Sequence, residues 1–154
     1  MKLHQATRYA IWSIVELASR PGEQVAASEL AAKYRISQHH LAKVLRLLSR
    51  ARIVSSTRGP AGGCTFIGNA NRLTLHDIIS LFEEDAPADG QGADTPVASE
   101  VARVLGEIDR ITSATLRSVT IQTIINNARR AEARSPVPAA ADAPRKGRDL
   151  SDAG

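Results

Sequence analysis

Residues Ser37 to Gly63 constrain the fold more tightly than any other stretch of the chain. At 100° per residue, Leu41, Val44, Leu45 and Leu48 fall on one side of a helix at the i, i+3, i+4, i+7 spacing of a buried face. His39, Lys43, Arg46 and Arg50 fall on the opposite side. Ser37 is placed to cap this helix, because its hydroxyl can accept from a free backbone N–H in the first turn. The helix then runs into Arg58-Gly59-Pro60-Ala61-Gly62-Gly63, a sequence that can only turn.

The flanking residues say what such a helix belongs to. Ser28 to Tyr34 (SELAAKY) predicts a short helix with Ser28 as its cap and Leu30 and Ala31 turned inward. Arg35-Ile36 leaves room only for a tight turn, and two helices joined so closely form a helix-turn-helix. Ile53 to Thr57 predicts a strand, and Cys64 to Ile67 the strand that returns after the glycine-rich turn. The fold class is therefore mainly α with a small β wing, a winged helix-turn-helix. Its second helix has the form that lies in a major groove, and its wing can carry an arginine to the adjacent backbone or minor groove.

The remaining residues predict a long dimerisation helix. His4 to Ser19 forms a first helix with Ala10, Ile14, Leu17 and Ala18 inward, and Thr74 caps a short helix that ends near Glu83. Asp85 to Pro96 is rich in Pro, Gly and Asp and reads as an acidic loop. Val97, Val101, Val104, Ile108 and Ile111 alternate spacings of four and three, a coiled-coil-like seam that Leu105, Leu116 and Val119 widen. So long a stripe on a thin helix needs a partner surface, either within its own subunit or, as a helix-turn-helix protein that spans two half-sites as a two-fold dimer favours, on a partner helix from a second chain. Thr120 to Ala131 folds back through Ile121, Ile124 and Ile125. The resulting division is 1–84 for the winged domain, 85–96 for the loop, 97–132 for the dimerisation and C-terminal helices, and 133–154 for a tail too poor in apolar residues to fold.

Charge is distributed unevenly behind a net +4. Residues 1–72 hold 11 Lys/Arg against 3 Asp/Glu, residues 73–109 hold 1 against 9, and residues 110–154 hold 8 against 4. A basic head suits phosphate, and an acidic middle must face away from it. Two Phe, two Tyr and one Trp leave little for stacking on exposed bases. No apolar run is long enough for a membrane span and no leader opens the chain, so a cytoplasmic location is expected, in keeping with a single cysteine.

Tyr9-Ala10, the SELAAKYRIS run, the Leu41 to Leu48 helix, RGPAGG and Leu73-Thr74-Leu75-His76-Asp77-Ile78-Ile79 together resemble the Rrf2 family of bacterial transcription regulators, over roughly residues 1–130. The resemblance implies a homodimer on double-stranded DNA with an inverted-repeat operator, acting as a repressor. It also implies roles for single residues. Gln38, His39, Ala42 and Lys43 take base-reading positions, with His40 on the flank. Arg46 and Arg50 reach phosphate, Arg58 enters the minor groove beside Gly59, and Ser28 and Ser37 stand at helix starts. The family's usual sensor, an iron–sulfur cluster on three cysteines ahead of the dimerisation helix, has no ligands here: residues 84–105 contain no Cys. No cofactor and no metal site is therefore expected.

Cys64 stands where the family commonly has an aromatic residue. It reads either as a small hydrophobe of the wing or as a redox thiol. His39 and His40 diverge by about 100° on a helix and cannot readily share an ion, and His4 and His76 lie elsewhere. RGPAGG lacks the Lys-Ser/Thr of a nucleotide loop, and no nucleophile has a positioned base, so the chain does not read as an enzyme. Two further readings stay open. One is a protein-interaction module that docks an enzyme through residues 73–109. The other is a small-molecule effector bound between the first helix and the dimerisation helix, near Trp12.

Overall fold

In a computed structural model of the chain, the structure describes residues 2–57, 59, 62–83 and 95–134. Eight elements follow in order: α1 (Gln5–Ala18), α2 (Ala27–Tyr34), α3 (Gln38–Arg50), β1 (Val54–Thr57), β2 (Gly63–Phe66), α4 (Leu75–Phe82), α5 (Pro96–Ser118) and α6 (Ile121–Arg134). The expected tail beyond residue 134 and most of the acidic loop lie outside the described residues.

The apolar periodicities converge on one core. Ile14 and Leu17 of α1, Leu30 of α2, Leu41 and Leu48 of α3, Ile78 of α4 and Ile121 of α6 are all essentially inaccessible to solvent. Replacing Leu48 by Ala would remove a side chain of the kind whose burial is worth about 2–5 kcal/mol. Arg35, at φ 53°, ends α2 in a left-handed residue, so the chain reverses within one step and seats Ile36 in the core. Ser37 caps α3 as expected, accepting from the His40 N–H at 3.2 Å.

The wing has an edge the sequence did not disclose. β1 and β2 pair antiparallel, Val54 opposite Phe66 and Thr57 opposite Gly63. Val25 joins on the far side of β2, exchanging hydrogen bonds of 2.9 and 2.8 Å with Cys64. This single bridge fastens the wing to the segment that leads into α2.

Three details depart from expectation. Ser28 does not cap α2: the helix starts at Ala27, with Ala26 in the cap position and no side-chain acceptor. Pro96 belongs to α5 rather than to the loop, because Thr95 accepts from the Ala98 N–H at 3.2 Å and proline suits a first helical turn. Val119 closes α5 rather than extending its seam, and its carbonyl accepts from the Leu75 N–H at 2.9 Å. Thr74 does cap α4, in a reciprocal box with Asp77.

Charged groups tie the helices together at two points. Glu83, just past α4, accepts from the His4 N–H at 2.8 Å and the Thr7 hydroxyl at 2.5 Å, capping α1 from another element. On the other side, Glu16 is buried against Arg20, Lys33 and Tyr34. Burial pushes its carboxyl up. The Lys33 and Tyr34 hydrogen bonds and the charges of Lys33 and Arg20 outweigh this and hold it below the ordinary range. Burial and then Glu16 push the Tyr34 hydroxyl up to about 12.

A carboxyl depressed in the folded state stabilises above its unfolded pKa and loses that contribution as pH falls through the folded value. The wild type should therefore lose thermal stability below about pH 4.3, the ordinary glutamate value. Glu16→Gln should be less stable at pH 7 and show a shallower acid decline. Identical pH profiles in thermal melts would rule this out.

Candidate nucleic-acid interface

α3 presents a cationic surface that the rest of the described structure leaves free. Gln38, His39, His40, Ala42, Lys43, Arg46 and Arg50 are all exposed, while Leu41, Val44, Leu45 and Leu48 are buried beneath them. No Asp or Glu occurs in α3. Two other cations of the winged domain are spent on neighbours: Arg20 pairs with Glu16, Glu23 and Glu29, and Lys33 with Glu16. Lys43, Arg46 and Arg50 make no ion pair among the described residues. The acidic residues nearest in sequence are thus neutralised within α1 and α2, and the positive field of α3 is left for an outside partner.

A cleft of about 610 Å³ separates α3 from the wing. Ala42, Arg46 and Arg50 line it from the helix, and Thr57 and Gly59 from the wing. The helix and the wing therefore bound one concave surface. Gly59, at φ +117°, takes a backbone conformation open to glycine, and its carbonyl accepts from the Gly62 N–H at 2.9 Å to close the turn. Arg58 lies outside the described residues. Ser49 and Ser56 also line the cleft. The sequence reading passed over both, although the alternation along β1 could have placed Ser56.

Two expected residues stand differently. Ser28 is the second residue of α2, so its backbone N–H sits among the free donors of the first turn, but its side chain caps nothing. Cys64 is buried at the foot of the wing, its Sγ 3.7 Å from the Ser56 Oγ. That placement favours packing over a reactive thiol. The rings of His39 and His40 are 6.0 Å apart and both residues are exposed. Among the described residues no cluster of three His, Cys, Asp or Glu is placed to hold a metal ion, and no helix is long and apolar enough to cross a membrane.

α5 forms the other conspicuous surface. None of its residues is buried. Val97, Val101, Val104, Leu105, Ile108 and Ile111 are between 43% and 74% exposed, an apolar row along one helix. Arg103 and Arg110 pair with Glu100 and Glu107 of the same helix, which leaves the row between them uncharged.

A family model described as "Rrf2: Iron-dependent Transcriptional regulator" fits residues 3–127. A protein of Rhodopseudomonas palustris named as an HTH-type transcriptional regulator, BadM, is 46% identical over 142 residues, which is 88% of this chain and 90% of the relative. Among solved structures, IscR of T. potens superposes with a TM-score of 0.70 at 22% identity, covering 89% of this chain and 93% of its own. CymR, the global cysteine regulator of B. subtilis, gives 0.66 at 24% identity, covering 82% and 98%. At these identities the two structures speak for the fold.

Proposed function

We propose that this chain, which belongs to the Rrf2 family and is a DNA-binding transcriptional regulator, works as a homodimeric repressor on an inverted-repeat operator in the cytoplasm. The observation that carries this reading is the cationic face of α3, unpaired among the described residues, which shares one concave surface with the wing. Gln38, His39, Ala42 and Lys43 meet base edges in the major groove, where Ala42 can touch a thymine methyl and Lys43 can donate to guanine. Arg46 and Arg50 bind phosphate, joined by His40 on the flank and by the free N–H groups at the starts of α2 and α3, near Ser28 and Ser37. Arg58, carried beside Gly59, reaches the minor groove. Two copies join along Val97, Val101, Val104, Leu105, Ile108 and Ile111 of α5, so that two α3 helices address two half-sites.

The donor set does not suit the iron–sulfur cluster that many relatives carry. Thiolates are the ordinary ligands of such clusters, and the only cysteine of the chain is Cys64, buried in the wing. The regulator we propose answers to another signal, and no step of its action runs through a thiolate-held cluster.

Duplex titrations test the assignment. Affinity should fall by roughly 10³–10⁵ between 50 and 200 mM salt if about 6–10 phosphates are contacted. Lys43→Ala should relax discrimination at one base position by about 1–3 kcal/mol. A flat salt dependence, together with unchanged selectivity in the variant, would instead favour a protein-docking module.

A further inference from the structure

A second cleft lies on the other flank of α3. It encloses about 240 Å³ between the first turns of α1, the middle of α3 and the end of α4. Its walls are the side chains of Tyr9, Val44, Leu47 and Phe82. For scale, a cavity of about 150 Å³ lined by apolar groups accepts benzene. Leu47 is 38% exposed, the one large apolar side chain left exposed on α3, and DNA reading gives it no task. Trp12 stacks on Tyr34 at 5.7 Å, so its ring is engaged in packing between α1 and α2.

The polar groups of this cleft include one cation, Lys43. Lys43 and His40 line it from α3 and Gln5 from α1, and no Asp or Glu is among its described lining residues. Lys43 makes no ion pair among the described residues. An apolar chamber with a few convergent donors is the usual form of a small-molecule site. A single lysine balances one negative charge, which fits a monocarboxylate on a ring-sized or short alkyl body.

We infer that this cleft binds a small hydrophobic monocarboxylate, whose head group engages Lys43 and His40 and whose body lies among Tyr9, Val44, Leu47 and Phe82. Lys43 is common to this site and to the groove-reading face, so the bound acid withdraws that lysine from DNA and weakens operator binding. The regulatory half rests on the function proposed above; the binding half does not.

Calorimetric titration of the full chain without DNA separates the two. The probes are 3-phenylpropionate and hexanoate, with 3-phenylpropionamide as the uncharged control. At least one acid should bind, and the amide at least tenfold more weakly than its acid. Lys43→Met should erase that preference. Ala6→Phe fills the cleft from an exposed position of α1 and should abolish acid binding while duplex affinity stays unchanged. If that variant melts early, Leu47→Glu tests the same point by charge. In duplex titrations the acid should weaken binding by the wild type and not by Ala6→Phe. Failure of both acids to bind at millimolar concentration, equal binding of acid and amide, or full acid binding by both cleft variants would overturn the inference. Acid binding without any effect on duplex affinity would overturn its regulatory half. Absence of duplex binding under all conditions would overturn the proposed function and leave the binding result standing.

Discussion

Aspartate at both Val104 and Ile108 should convert the protein to a monomer and bring operator affinity down to the non-specific range of roughly 10⁻⁴–10⁻⁶ M. Both residues are about half exposed on an α5 in which nothing is buried, so the substitutions empty no core position of the single chain. In a dimer the same positions lie in the middle of the apolar seam, where carboxylates lose water without gaining partners. Each half-site would then be met by one α3 and one wing. Light scattering should show the loss of the dimer, and the melting temperature should lose its dependence on protein concentration. A double variant that remains dimeric would move the interface off this face of α5.

Gly63→Val should damage the wing and leave the helical core standing. A Cβ at Gly63 would sit 2.7 Å from the Val25 carbonyl oxygen and 3.0 Å from its carbon, and these are backbone atoms that cannot swing away. The two hydrogen bonds between Val25 and Cys64 are the local tie that must yield. Each orphaned buried group costs about 1–3 kcal/mol, so a substantial drop in melting temperature is expected. Duplex affinity should fall further than stability alone explains, because Thr57 and Gly59 of the wing no longer face Arg46 and Arg50 across their cleft. Normal duplex binding by a folded Gly63→Val protein would show that the wing's position does not matter.

The parts legible in the sequence were those fixed by local chemistry. The buried and cationic sides of α3 follow from spacing alone, and the Ser37 and Thr74 caps from the reach of a hydroxyl to its own helix. Pro96 was misplaced because proline opens helices as readily as it interrupts loops, and Thr95 decided between them. Ser28 was misread as a cap because serine is also tolerated two positions further in, within the first turn.

Contacts between distant segments left no local trace. The Glu83 cap on α1 spans 79 residues to His4, and Val25 meets Cys64 through one isolated bridge. Glu16 interrupts the apolar side of α1 and is buried only because Lys33 and Tyr34 of α2 come to meet it. The 240 Å³ cleft was illegible for the same reason, since α1, α3 and α4 contribute to it together. The role of Arg58 rests on sequence alone, as that residue lies outside the described structure.

Selection of bound duplexes from a random pool, followed by footprinting of the enriched sequence, tests the central claim most directly. A dimer that reads DNA through two copies of α3 should enrich an inverted repeat and protect two equivalent half-sites on one side of the duplex, and Lys43→Ala should relax the same position in both halves. Enrichment of no sequence, or of one unrepeated motif protected at a single site, would contradict it.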